Sequence, residues 1–284
     1  MLIDVIIPTF NRAYSLPRAI QSVLNQTHKN FNLIVVDDGS SDGTADLMEK
    51  DFKHPKIKFY QQSNSGVSSA RNFGIMKAQA EWVAFLDSDD EWLPQKLSHQ
   101  VRFAQTHPHL RFIHSNEIWM RHGQRVNPKN KFDKSHNDIF RRSLELCLIS
   151  PSTVMMKKVL AETHGLFDET YPVCEDYDLW LKILAREEVG FIKDNLIIKY
   201  GGHDDQLSTR YNAMDFWRIK SMLKLLESSE LTDQMRLQVE EEIDKKANIV
   251  LQGYLKHNNH AQHEVLSTML KDFFSRRESK AGFP

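Results

Sequence analysis

Residues 82–92 read WVAFLDSDDEW: an unbroken apolar run from Trp82 to Leu86 that stops on Asp87, Ser88, Asp89 and Asp90. A short apolar run without alternation suits a strand covered on both faces, and the acids that end it mark a polar rim. The pattern recurs upstream. Val5-Ile6-Ile7 runs into Pro8-Thr9, Leu33-Ile34-Val35-Val36 runs into Asp37-Asp38-Gly39, and Ile57 to Tyr60 forms a further run. Between the first two, Leu16, Ala19, Ile20, Val23 and Leu24 keep the i, i+3, i+4, i+7, i+8 spacing of an amphipathic helix. Ser15 stands where a cap is wanted, and Pro17 falls in the tolerant first turn. Further helices are expected after Ser41 and across SSARNFGIMKAQ (68–79). Three crossovers then join four parallel strands, an α/β arrangement whose ligands bind outside the carboxyl ends of the strands. The polar residues that follow each strand are therefore expected on one rim.

Working outward, residues 93–210 are less regular. A helix is expected from Pro94 to Thr106, strand-like runs at Leu110 to Ile113 and Asn195 to Tyr200, and an exposed, mobile loop in RHGQRVNPKNKFDKSHND (121–138). After residue 211 strand signals cease. Phe216, Ile219, Met222, Leu223 and Leu226 form a helical stripe, with helical patterns near 231–256 and 262–274. The expected division is a domain at 1–210, made of halves 1–92 and 93–210, followed by a helical region at 211–284. That stripe must bury against the first domain, a second copy of the chain in a homodimer, or a membrane surface; the first two are the expectation, and Lys271, Arg276, Arg277 and Lys280 beside Phe273 and Phe274, compatible with anionic lipid, are read as a solvated helix end.

Composition sets outer limits. With 284 residues, 40% apolar and 26% charged, the chain can bury a large core, which excludes a disordered protein. A net charge of -1 gives no whole-chain attraction for nucleic acid. No apolar run approaches the ~18 residues of a bilayer span, and MLIDVIIPTF lacks a basic leader, so a cytoplasmic protein is expected, with the inner membrane face as a place of work. Cys147 and Cys174 are too few for a disulfide framework and are read as packing residues.

The chemistry is expected at the acids. Asp37, Asp38, Asp87, Asp89 and Asp90 on one rim would repel one another, which calls for a cation. Carboxylate oxygens are hard ligands for Mg²⁺ or Mn²⁺, ions that take one or two carboxylates while gripping substrate phosphates. The alternative is that each acid only caps a turn or helix. Glu175-Asp176 opens a helix whose Tyr177, Trp180, Leu181 and Leu184 share a face, leaving the acids at its positive end. Asp178 stands four residues before Lys182 and is read as a solvated pair.

PTFNR (8–12), VVDDGSSDGT (35–44), NSGVSSARNFG (64–74), FLDSDDEW (85–92) and CEDYDLWLKI (174–183), in that order, resemble the signature of family 2 inverting glycosyltransferases with the GT-A fold, over roughly residues 1–205. The resemblance implies a Rossmann-like, mostly parallel sheet flanked by helices, and transfer of a sugar from a nucleotide donor, UDP-linked, to a hydroxyl of a glycan or lipid-linked acceptor. It implies that Pro8, Thr9, Asn11, Arg12, Asp37, Asp38, Arg71, Asp87 and Ser88 hold the nucleotide. By the same resemblance Asp89 and His203 meet the Mn²⁺ or Mg²⁺, and Asp176, with Glu175 beside it, is the general base. Asp90 is read only as the start of the next turn. Two rivals compete: a haloacid-dehalogenase-type phosphatase, disfavoured because its DxD belongs on the first strand, and a sugar-nucleotide-binding subunit without turnover.

Overall fold

The computed structural model describes residues 1–135, 138–202, 214–228 and 231–281, with side chains described as far as Ser275. Two compact units result, Met1–Gln206 and Leu207–Pro284. The first begins with the expected alternation: β1 (Ile3–Thr9), α1 (Leu16–Leu24), β2 (Phe31–Asp37), α2 (Thr44–Asp51), β3 (Ile57–Gln61), α3 (Val67–Lys77) and β4 (Trp82–Phe85). It continues through β5 (Glu91–Trp92), α4 (Lys96–Thr106), β6 (Phe112–Arg121), β7 (Gln124–Val126), α5 (Ile139–Glu145), β8 (Met155–Lys157), α6 (Lys158–His164), α7 (Glu175–Leu184) and β9 (Val189–Gly201).

One sheet in the order β3-β2-β1-β4-β8-β6-β9-β5 runs through the unit, with β7 paired to β6. The four predicted strands are parallel to one another, whereas β8 lies antiparallel to both β4 and β6, β9 is parallel to β6, and β5 is antiparallel to β9. The second half of the sheet is thus mixed.

Both faces of β1 are buried, which is why its sequence does not alternate. Ile3, Val5 and Ile7 join Leu16, Ala19, Ile20 and Val23 of α1 in one core layer. On the other face α3 presses so close that a Cβ on Gly74 would sit 2.4 Å from Ile6 Cγ2. Ser15 stands at the N-cap of α1, but its hydroxyl is buried and makes no capping bond; Pro17 and the Leu16 N–H, which donates to the Arg12 carbonyl at 2.9 Å, support that start.

Residues 121–138 differ from the loop reading. β6 runs on to Arg121, turns at His122-Gly123 (φ 48° and 76°) and returns as β7, with Arg121 level with Gln124. Two left-handed residues between paired strands make a tight hairpin turn. A 3₁₀ turn at Asn130–Phe132 follows. Lys134 then enters the interior, where its ammonium lies 3.3 Å from Glu117.

An aromatic cluster fixes α7 to the sheet: the Trp180 ring lies 5.1 Å from Phe112, 5.6 Å from Phe167 and 6.4 Å from Phe85. Such edge and tilted contacts hold a helix in one rotation. The helix start at Glu175 thereby comes to the carboxyl end of β4, where one Arg71 side chain touches both Glu175 and Asp87. The Leu207–Pro284 unit contains α8 (Met214–Leu226), α9 (Asp233–Lys256) and α10 (His260–Ala281). Ile219, Met222, Leu223 and Leu226 of its stripe are buried, as are Val239 and Ile243 of α9.

Candidate active site

β4 stops at Phe85, and Asp87 to Asp90 form a turn closed by the Asp90 N–H on the Asp87 carbonyl at 3.0 Å. Strand alternation therefore does not orient Asp87 and Asp89; the turn does. Ser152, in the Ser150-Pro151-Ser152-Thr153 turn ahead of β8, pins it. Its hydroxyl accepts from the Asp87 N–H (3.1 Å) and donates to Asp90 Oδ2 (2.7 Å). Asp90 is not merely the start of a turn. It is buried, accepts the Tyr200 N–H at 3.1 Å, and its carboxyl is pushed well above the usual range by burial and by Asp89 and Asp87, against the pull of Lys199.

Arg71 is the centre of the arrangement. It reaches from α3 with one terminal nitrogen 2.7 Å from Asp87 Oδ1 and the other 2.5 Å from Glu175 Oε1. The side chain is 4% exposed, so it is no surface ion pair. Burial disfavours its charge, but Asp87 and Glu175 hold the guanidinium firmly protonated. Its terminal nitrogens tie the two acidic motifs together.

At the start of α7 three acids stand in the first turn. Glu175 and Asp178 are buried, and Asp176 alone is half-exposed. Asp178 does pair with Lys182, yet at 1% exposure it is not the solvated group that the spacing suggested. The helix is entered through Cys174 at φ 65°, a left-handed conformation unusual for a residue with a Cβ. Asp176 Oδ1 accepts its neighbour Tyr177's N–H at 2.7 Å, and the Cys147 thiol donates to Oδ2 at 3.3 Å. Cys147 is thus more than packing. Burial, and the nearby Asp176, push its thiol well above the usual range, so it stays a donor.

Burial raises the Glu175 carboxyl to about 7, against Arg71 and with help from Asp176. Between its ordinary 4.5 and about 7 the folded chain holds a proton that the unfolded chain has lost. This contribution to stability is therefore complete below 4.5 and lost as pH rises through about 7. In Glu175→Gln the fall in stability across that window should flatten, as measured by urea unfolding at closely spaced pH values; an unchanged slope would show that Glu175 is not the group titrating.

The remaining nucleotide candidates form a second network. Asn11, at φ 52°, accepts the Ser41 N–H on Oδ1 (2.8 Å) and donates its own N–H to Ser40 (2.8 Å), which locks the loop after β1 to the loop after β2. Asp37 accepts from Ser40 Oγ at 2.5 Å and from Gln61 at 3.2 Å. Asp38 accepts from Gln62 (2.7 Å), Ser65 N (2.9 Å) and Gly66 N (2.8 Å). Both acids are buried, and these hydrogen bonds hold them at the end of β2. Thr9 keeps a buried hydroxyl with no partner among the described residues, beside Pro8 at the end of β1. Arg12 joins the networks, 3.7 Å from Asp89 Oδ2. Ser88 is buried between the two acids, and His203 lies outside the described residues.

Sequence reasoning missed the cations beneath this rim. Lys199 on β9 donates to Ser150 Oγ at 2.7 Å, and although burial disfavours its charge, Glu117, Asp90 and Asp87 raise it well above the ordinary lysine range. Glu117 falls to about 2: burial is outweighed by Lys134 and Lys199, with a bond from Trp119. The Ser-Pro turn at 150–151 was a legible signal; the lysines carried none.

Among the described residues no group of three His, Cys, Asp or Glu side chains converges as a metal site. Mg²⁺ and Mn²⁺ commonly use one or two carboxylates and complete their shell with phosphate oxygens and water. The partly exposed carboxylates of Asp87 and Asp89, 27% and 22%, have the right donor chemistry for that mode.

The profile described as "Glycosyl transferase family 2" matches residues 4–163. An uncharacterized glycosyltransferase of Rickettsia bellii is 36% identical over 200 residues, 68% of this chain and 28% of that protein, so the chain spans less than a third of that relative. The UDP-Glc:alpha-D-GlcNAc-diphosphoundecaprenol beta-1,3-glucosyltransferase WfgD of Escherichia coli is 30% identical over 197 residues, 69% of this chain and 75% of the enzyme. The crystal structure of S. aureus TarS 1-349 in complex with UDP-GlcNAc has a TM-score of 0.69 at 21% identity, covering 89% of this chain and 73% of the other. That likeness is one of fold.

Proposed function

The chain belongs to glycosyl transferase family 2, inverting transferases here carried on a GT-A fold, and on that premise we propose that it moves a sugar from a UDP-linked donor to a hydroxyl of a lipid-linked glycan. The observation that carries this reading is the Arg71 bridge, which brings the helix bearing Asp176 to the turn bearing Asp87 and Asp89. Residues 1–92 serve the nucleotide and 93–210 the acceptor. The WfgD name supports a UDP-linked donor and a diphospholipid acceptor. No helix among the described residues is long and apolar enough to cross a membrane. The phosphatase rival loses its footing with family membership.

Asp176, the half-exposed acid, removes the acceptor hydroxyl's proton as that oxygen attacks the anomeric carbon. The new bond forms on the face opposite the departing diphosphate, the anomeric carbon–oxygen bond breaks, and the electron pair leaves with the nucleotide. No covalent intermediate is needed. Asp87 and Asp89 would hold a divalent ion, which supplies Lewis-acid stabilisation of the diphosphate's charge. Arg71 fixes the distance between acid turn and base, so the chain's own contribution is positioning.

Differential scanning fluorimetry with UDP tests the reading. At a hundredfold excess over Kd, ligand binding adds about 2.7 kcal/mol, or roughly 5–10 °C for a unit of this size. With Mn²⁺ or Mg²⁺ the shift should exceed that in EDTA, and Asp89→Ala should remove the difference. A metal effect that persists in Asp89→Ala assigns the ion elsewhere.

A further inference from the structure

The β6–β7 hairpin and the turn after it carry cations that the proposed reaction leaves unused. Between Glu117 and Asp133 the sequence has no acid, but it has Arg121, His122, Arg125, Lys129 and Lys131. All five are exposed. Arg121, Arg125, Lys129 and Lys131 make no ion pair among the described residues.

Their backbone is nonetheless held. Trp119 is paired with Val126 and Met120 with Arg125. The Trp119 and Phe132 rings meet edge to face at 4.8 Å. Arg142 donates to the carbonyls of Lys131 (2.9 Å) and Asp133. His122 covers Gly202, where a Cβ would come within 3.0 Å of Nε2. Arg121 lies over Trp119 (5.8 Å) and Lys131 over Phe132 (5.3 Å), so exposed cations stand on a held backbone, which lowers the cost of ordering them around an anion.

Position selects the anion. In the β6–β9 register Trp119 is level with Lys199 and Arg121 with Gly201. Tyr200's N–H binds Asp90 at 3.1 Å and Lys199 donates to Ser150 in the turn that pins the acids, so this level of the sheet is the acid rim. Two strand residues further on is ~7 Å, about the width of one sugar ring. An acceptor whose sugar reaches the rim would carry its anomeric phosphates to Arg121 and Arg125, side chains whose planar forks grip phosphate oxygens in pairs. The exposed positions of the hairpin, Arg121 to Arg125 with Asn127 to Lys131, include no large apolar side chain to enter a bilayer, unlike an interfacial membrane element.

We propose that the basic hairpin binds the diphosphate of a sugar-diphospholipid acceptor. This rests on the transferase reading above and deepens it. Binding is measured with two probes in neutral phosphatidylcholine vesicles: N-acetylglucosamine linked through a diphosphate to a decyl chain, and decyl N-acetylglucosaminide without the diphosphate. The parent should prefer the first by tenfold or more, with the preference shrinking as salt rises. In Arg121→Gln/Arg125→Gln/Lys129→Gln/Lys131→Gln the preference should vanish while the UDP-induced thermal shift stays. The charge-keeping Arg121→Lys/Arg125→Lys should retain part of it, keeping the charge but losing the paired contacts of the forks. Persistence of the preference in the quadruple variant would overturn the proposal. So would equal binding of the parent to phosphatidylglycerol vesicles lacking the diphosphate, which would assign the patch to the membrane surface itself. If the parent prefers the diphosphate probe but gives no shift with UDP, the hairpin stands and the donor reading fails.

Discussion

Asp176→Asn is expected to lower sugar transfer by ~10²-fold or more while UDP binds as in the parent. The amide keeps the carboxylate's size and its oxygen can still accept the Tyr177 N–H, giving up only the weak bond from the Cys147 thiol. What it loses is the ability to take a proton at neutral pH. Of the three first-turn acids, Asp176 is the half-exposed one, while Glu175 is occupied by Arg71 and Asp178 by Lys182. The loss should therefore fall on kcat rather than on acceptor KM. Transfer is followed as UDP release with an acceptor present, and UDP affinity by calorimetry. Turnover within tenfold of the parent would remove Asp176 from the role of base.

The parallel half of the sheet could be read because its physics is local. Each of β1, β2 and β4 carries an unbroken apolar run buried on both faces, Val5 to Ile7, Leu33 to Val36 and Trp82 to Phe85, and polar or turn-forming residues follow soon after it. β6 resisted because its buried positions include His114 and Glu117, which read as surface until Lys134 and the neighbouring strand are known. β8 has only Met155 to Lys157, too short for any period to show. The hairpin looked like a loop because its strands face solvent, although His122-Gly123 was a turn signal in plain view.

The site divides in the same way. Acids at strand ends are local and were legible. Their counter-charges are not: Arg71 meets Glu175 across 104 positions of sequence, and Lys199 reaches Asp87 and Asp90 only because β9 returns beside β6. A lysine in a polar segment is by default at the surface, and nothing in its neighbours announces a long-range partner. The partners of Asp37 and Asp38 were not legible either: Ser40, Gln61, Gln62 and the backbone N–H groups of Ser65 and Gly66 reach these carboxylates only through loop geometry.

Arg71→Met should cost about 3–5 kcal/mol of stability near pH 7.5, because it leaves the buried Glu175 facing no cation. The two side chains are 4% and 7% exposed, so water replaces little of what is lost. Burial already holds Glu175 near 7, so at pH 5.5 the carboxyl takes up a proton and the cost should shrink. Arg71→Met/Glu175→Gln should recover a large part of the loss at pH 7.5, giving a coupling of more than 1 kcal/mol in a double-mutant cycle by urea unfolding. Activity should not recover with it. Asp87 would still lack its 2.7 Å partner, and nothing would hold the acid turn against the start of the base-bearing helix. Strictly additive stabilities would show that the pair is not coupled, and an active double variant would show that the bridge is not what positions Asp176.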